Sequence, residues 1–217
     1  MYDISIYGHL VFDTVIDNEK FFYQTGGIVN VWKSLKLIDK NLKIHICPTN
    51  IGYSTIKINR IKSSRKSDSF LNQIDIDVQI KKSKISHICY INEIKKLNFI
   101  KKIKEIKTAD LCTGKTISNY NFIDYLFVSG EDLKLLKNYK KFEKTLIVHN
   151  PEYSWTNKNK HFYLNKKNII NNANVLGAGD YFAACYIYGI LNNINEDKIL
   201  EYAHTKTSKY IRQRNET

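Results

Sequence analysis

Asp180 closes the segment Asn174-Val175-Leu176-Gly177-Ala178-Gly179-Asp180 and stands directly before eleven uncharged residues, Tyr181 to Leu191. Glycines on either side of one alanine allow a tight turn with close backbone approach, and the uncharged run reads as a helix buried nearly all round. The first N–H groups of such a helix have no partner within it. With the positive end of the helix dipole they form a site for an anion such as a phosphoryl group. A carboxylate beside a bound phosphate can take the proton of an attacking hydroxyl; without an anion there, it is simply a helix-start residue.

Other residues are candidates for a supporting role. Asp13 interrupts an otherwise apolar strand, Leu10 to Ile16, and a charge there is costly to bury unless it binds something; the plainer reading is an edge strand with Asp13 in water. Phe21 to Thr25 reads as a strand that turns through Gly26-Gly27 into a helix running to about Ile38. Glycines at such a turn admit a bound molecule, and Asn30 on the first helical turn can bond its hydroxyls. The segment Tyr53 to Ile61 alternates strictly and carries Lys57 and Arg60, read as a basic face. Ser129-Gly130-Glu131-Asp132 closes another strand; Ser129 suits an N-cap, and Glu131 and Asp132 suit the positive end of a helix at 133–142.

The elements that must position these residues follow from pattern. At 217 residues with 43% hydrophobic content, the chain supports one globular domain and not two. Residues 3–7 and 10–16 read as two strands meeting in a hairpin or bend at Gly8. Strands are expected at 42–47, 74–80, 86–91, 108–112, 124–128 and 146–149, and helices at 92–106, around 116–122 and at 133–142. Short strands follow at 153–155, 161–164 and 167–170, and an amphipathic helix at 196–212. Alternation of this kind implies an α/β fold with a mostly parallel sheet and covering helices.

Composition narrows the class further. The net charge of +13 invites a nucleic-acid reading, but only four of the 34 basic residues are arginine (Arg60, Arg65, Arg212, Arg214) and the lysines are scattered. No nucleic-acid partner is therefore expected. No apolar run reaches the ~20 residues that span a bilayer, and the N-terminus lacks a signal-peptide pattern, so a cytoplasmic protein without a membrane partner is the expectation. Cys47, Cys89, Cys112 and Cys185 form no C-x-x-C pair and read as small buried hydrophobes.

The segment Gly177-Ala178-Gly179-Asp180, with Phe182 in place, resembles the second signature of the ribokinase-like (PfkB) carbohydrate kinases, although Asn174 stands where that signature has Asp. Gly26-Gly27 followed by Asn30 resembles the first signature, in the spacing of the heptose-phosphate kinase branch. The resemblance implies a three-layer ribokinase-like sandwich, a single domain over 1–217 with a small β lid from about 10–25 and 53–80. It implies an ATP- and Mg2+-dependent kinase acting on a hydroxyl of a sugar or sugar phosphate, with a catalytically inactive binding homologue as the alternative. In that frame Asp180 is the base, the Gly177, Ala178 and Gly179 turn the anion hole, and Asp13, Gly26, Gly27 and Asn30 the sugar site. Lys57 and Arg60 would close over the substrate, while Ser129 and Asp132 would support nucleotide and, through water, magnesium. Pairing through lid strands makes a homodimer an option. Two departures stand out: the chain lacks the G-x-D-x-x-G segment that members carry before the lid, and His149-Asn150-Pro151 replaces their T-x-G.

Overall fold

Two sixteen-residue strands set the frame in the computed structural model, which describes residues 1–59, 64–67, 71–112, 114–165, 169–170 and 173–215. β1 (Tyr2–Asp17) and β3 (Ile44–Asn59) run parallel from Ile4↔Ile44 to Asp17↔Ile58, with one register shift at Gly8/His9. The break expected at Gly8 is thus only an irregularity within a single strand. Gly8 is needed there because a Cβ would lie 2.6 Å from the Cys89 carbonyl oxygen.

The other flank of β1 changes partner along its length. β6 (Ser83–Cys89) pairs in parallel as far as Gly8↔Cys89, and β2 (Lys20–Gly27) takes over antiparallel from Leu10↔Gly27 to Asp17↔Lys20. A crevice opens where one partner leaves and the next begins. Beyond β6 the parallel sheet continues through β7 (Ile106–Asp110), β8 (Tyr125–Ser129) and β9 (Thr145–His149). Antiparallel β10 (Tyr153–Thr156) and β11 (His161–Tyr163) finish that edge, and β4 (Ser64–Ser67) and β5 (Leu71–Asp75) pair antiparallel with β3. Among the described residues the eleven strands belong to one sheet, and its lid is the outward continuation of β1 and β3 with β2, β4 and β5. Of the strand expected at 167–170, residues 169 and 170 are not in a strand and the first two lie outside the described residues.

Among the described residues three α-helices cover one face: α1 (Ile28–Ile38), α2 (Ala178–Leu191) and α3 (Glu196–Asn215). Ile4, Ile6, Ile85, Phe127 and Ile147 of the sheet pack there against Phe182, Ala184, Ile187 and Leu200. α2 is buried on nearly every side because it lies between the sheet and the other two helices, as its uncharged run requires. α3 buries Ile199, Leu200, Ala203 and Thr207, a single stripe at helical spacing.

The opposite face corrects the sequence expectation of helices on both sides. Residues 92–106 and 133–142 form only short 3-10 turns, at Ile91–Glu93, Asn98–Lys102, Leu133–Leu135 and Tyr139–Lys141, and residues 116–122 form none. Ile91, Ile94, Leu97, Ile100 and Ile103 recur every third residue, which suits three residues per turn better than 3.6. Phe99, Ile100, Ile103, Ile123 and Phe142 still seal that side against Tyr7, Ile88, Leu126 and Val148. All four cysteines are free and buried; burial pushes the Cys89 thiol well up and that of Cys185 to about 12, so they pack as neutral groups. No helix among the described residues is long and apolar enough to cross a membrane.

Candidate functional site

The carboxyl ends of β6, β7, β8 and β9 finish along one edge of the sheet, while β1 runs on past it into the lid, and α2 begins above that edge. Open α/β sheets bind ligands outside the carboxyl ends of their strands, where neighbouring connections diverge. Asp180 lies there, 6% exposed, in the first turn of α2. Asn30 Nδ2 donates to its Oδ2 at 3.1 Å, and the Tyr90 hydroxyl donates to its Oδ1 at 3.3 Å. Asn30 comes from the first turn of α1 and Tyr90 follows β6, so three remote segments converge on one carboxylate. Both donors are neutral groups, an amide and a phenol.

Tyr90 owes its place to its backbone. It adopts a left-handed conformation (φ 56°, ψ 51°), and its N–H donates to Asp110 Oδ1 at the end of β7. Such a conformation costs a non-glycine residue of order 1 kcal/mol or more and persists where the surroundings fix it.

Asp13 sits on the inner face of the lid, 5% exposed, rather than in water. The Ser54 hydroxyl donates to its Oδ1 from the adjacent position on β3. Its other oxygen lies against Gly26, where a Cβ would come within 2.3 Å of it. Gly27 then turns the chain into α1 at φ 60° and ψ −127°, and a Cβ on it would meet the His9 carbonyl oxygen at 2.1 Å. Both glycines are therefore demanded by contacts, Gly26 by the carboxylate and Gly27 by the turn as well. The inner face also packs on the α2 turn, because Val15 and Ile56 form a small core with Leu176.

Gly177 caps α2 in the left-handed region (φ 77°). The Ala178 N–H is taken by the Val175 carbonyl, so anion binding falls on the N–H groups that follow it in the first turn. Asn174 does turn-forming work: its Oδ1 accepts the Leu176 N–H at 3.0 Å, and its own N–H donates to Asn215 Oδ1 at 2.8 Å. Arg214 Nη1 donates to the Leu176 carbonyl at 2.7 Å. The C-terminal end of α3 thus clamps the turn from behind.

At the ends of β8 and β9 the polar groups serve one another. Ser129 Oγ donates to Asp132 Oδ2 at 2.7 Å and accepts the Asp132 N–H at 3.1 Å. The His149 ring packs on Phe182 with centroids 4.8 Å apart, and a Cβ on Gly179 would come within 3.4 Å of it. Burial, with His204 as a smaller cause, lowers the His149 pKa to about 4, so the ring is neutral packing at pH 7.

No protein-family model matches the sequence, and no curated protein does so significantly. Solved structures do. The chain is similar to a pyrophosphate-dependent kinase in the ribokinase family (TM-score 0.70, 11% identity, 96% of this chain and 95% of that one). It is also similar to adenosine kinase from Sinorhizobium meliloti (TM-score 0.70, 11%, 98% and 94%) and to the nucleoside kinase of Methanocaldococcus jannaschii (TM-score 0.67, 15%, 98% and 92%). The fold is that of the ribokinase family.

Within this ribokinase-like fold, the structure gathers Asp13, Gly26, Gly27, Asn30, Gly177, Ala178, Gly179 and Asp180 around the crevice, and sets Ser129 and Asp132 further along the same edge of the sheet. Lys57 is not gathered. It pairs with Ile16 on the face shared with Phe12 and Tyr53, is exposed, and points away from Asp13. Arg60, expected to close over the substrate with Lys57, lies outside the described residues. Sequence reasoning missed Ser54, Tyr90 and Arg214. The alternation that places Ser54 beside Asp13 was available; nothing in the apolar run before Tyr90 signals its bond to Asp180.

Proposed function

We propose that this protein is a phosphotransferase that moves a phosphoryl group from ATP to a hydroxyl of a sugar or sugar-like acceptor. The observation that carries the reading is Asp180: a buried carboxylate in the first turn of α2, held by Tyr90 and by Asn30, which also lines a cavity beside it. There Asp180 takes the proton of the attacking hydroxyl while the N-terminal N–H groups of α2 draw charge from the transferred group. Asp13, its Oδ1 bonded by the Ser54 hydroxyl and its Oδ2 beside the side-chain-free Gly26, holds acceptor hydroxyls. The lid, packed on Leu176 through Val15 and Ile56, excludes water that would otherwise compete as nucleophile.

The donor set suits nucleotide phosphates and magnesium. The left-handed Gly177 turn and α2 terminus fit a phosphoryl group, and Asp132, engaged with Ser129, fits indirect support of a hydrated ion. When bound, magnesium neutralises phosphate charge and aligns the donor. The outer lid face carries Phe12, Phe21, Tyr23 and Tyr53 exposed, a surface for lid-to-lid homodimerisation. Light scattering at the 25.4 kDa monomer mass would exclude that pairing.

A coupled assay tests the central reading, with ATP or pyrophosphate as donor and sugars, sugar phosphates and nucleosides as acceptors. Turnover of a hydroxylated acceptor is expected. ATP binding with no turnover across the panel would replace the enzyme by a binding homologue.

A further inference from the structure

Beneath α2, four side chains meet in a two-by-two patch on the sheet. His87 and Cys89 lie two apart on β6 and so share a face, and Cys89 packs there into the core that Phe182 and Ala183 of α2 complete. Thr108 is the registered partner of His87 on neighbouring β7, and Asp110 stands two residues further on, at the level of Cys89. His87, Cys89 and Thr108 are fully buried and Asp110 is 7% exposed. Imidazole, thiol and carboxylate are the ligand types of transition-metal sites, and one ligand atom from each of His87, Cys89 and Asp110 lies within 4.8 Å of the others.

The buried imidazole is only half satisfied. Its Nδ1 lies 2.9 Å from Thr108 Oγ1, whereas its Nε2 has no hydrogen-bond partner among the described residues. Such a nitrogen is costly to enclose. Asp110 Oδ2 stands 3.4 Å from it without forming a hydrogen bond. Two ligands bound at about 2.0–2.2 Å to one tetrahedral ion are themselves roughly 3.3–3.5 Å apart, so this separation is the one a shared ion would set. The neighbours leave the right atoms open. Thr108 engages Nδ1, as outer partners of metal-bound histidines do, and the Tyr90 N–H occupies Asp110 Oδ1, so Nε2 and Oδ2 are left to face each other beside the Cys89 sulfur.

We infer that His87 Nε2, Cys89 Sγ and Asp110 Oδ2 bind one divalent ion of the zinc class. Sulfur and imidazole select zinc and its neighbours over magnesium, which prefers oxygen throughout. On binding, the Cys89 proton leaves to solvent, and thiolate and carboxylate together balance the 2+ charge. The site is separate from any magnesium that accompanies a nucleotide and stands without the phosphotransferase reading. It has a mechanical consequence for Asp180 all the same. Tyr90 joins the two, its N–H on Asp110 and its hydroxyl on Asp180, so an ion that fixes Asp110 also steadies a residue that holds Asp180.

Because the ligands are buried, the ion enters as the chain folds. The full chain is therefore refolded from denaturant with Zn2+, with Mg2+ or with a chelator, and bound metal is counted by mass spectrometry. One zinc per chain is expected, with a higher denaturation midpoint than in chelator and no such rise with Mg2+. Thr108→Val should weaken zinc ~10- to 100-fold, and His87→Gln and Cys89→Ser should weaken it further. Cys47→Ser, on the opposite face of the sheet, should leave zinc affinity unchanged. Cobalt(II) in the wild type should show the charge-transfer band of a thiolate ligand, a readout that needs no variant to fold. Zinc held equally by the wild type and Cys89→Ser would overturn the inference and place the metal on surface groups such as His161. A refolded chain that takes up no zinc, or cobalt without a thiolate band, would overturn it too and leave His87 and Asp110 as a plain buried pair.

Discussion

The two ends of the crevice are built differently. Beside the lid, polar groups bond across long stretches of chain: Asn30 to Asp180, Tyr90 to Asp180, Ser54 to Asp13. At the ends of β8 and β9 they bond to near neighbours, as Ser129 does to Asp132, or pack as neutral rings, as His149 does on Phe182. Long-range bonds fix geometry only when the whole fold is in place, which is how a reacting carboxylate is held to a fraction of an ångström. Local bonds fix a loop. Chemistry is therefore expected to be sensitive at the lid end and tolerant at the other.

Substitutions can break or sharpen that contrast. Asp180→Ala should cost ~1,000-fold or more in turnover, the scale of a lost general base, read in the coupled assay. Gly26→Ala drives a Cβ into the Asp13 carboxylate; acceptor KM should rise ~10- to 100-fold, since a misplacement of about 1 Å near a reacting centre costs on that scale. Tyr90→Phe removes one bond to Asp180 and should lower kcat about 5-fold, the equivalent of about 1 kcal/mol, with little change in fold by circular dichroism. Asp132→Ala should change kcat less than ~3-fold, because the Ser129 bond it breaks closes a local turn. An Asp132→Ala loss as deep as that of Gly26→Ala would erase the distinction between the two ends.

The His149 environment gives the smallest effect, and it appears in stability rather than rate. Its folded pKa, about 4, lies below the ordinary 6.5, so between these values the unfolded chain binds more protons than the folded one. That contribution to stability is complete above pH 6.5 and is lost as pH falls towards 4. The ring retains some surface exposure, so the loss should be about 2 kcal/mol in denaturant titrations, and His149→Phe should flatten it.

Much of the lid end was legible before the coordinates. Gly177 to Asp180 at the start of an uncharged run, and Gly26-Gly27 ahead of Asn30, are turn chemistry, and turn chemistry is written locally. Asp13 within an apolar strand signalled a buried, partnered carboxylate. Tyr90 was not legible, because its bond depends on a left-handed residue after β6 meeting a helix ninety positions later. The opposite face of the sheet was misread for a subtler reason: an apolar repeat of three was taken for a helical one, although it suits the 3-10 turns observed. Lys57 was misplaced because strand alternation sets it with Phe12 and Tyr53, on the face opposite Asp13.

The central claim is that Asp180 accepts the acceptor's proton, and Asp180→Asn tests it most directly because the amide keeps the shape and removes the basicity. Single-turnover transfer should be measured beside calorimetric affinity for the acceptor. Transfer slowed ~1,000-fold or more with affinity within ~3-fold of wild type is the predicted result. Transfer at the wild-type rate would show that the proton leaves by another route and that this carboxylate is only a helix-start residue.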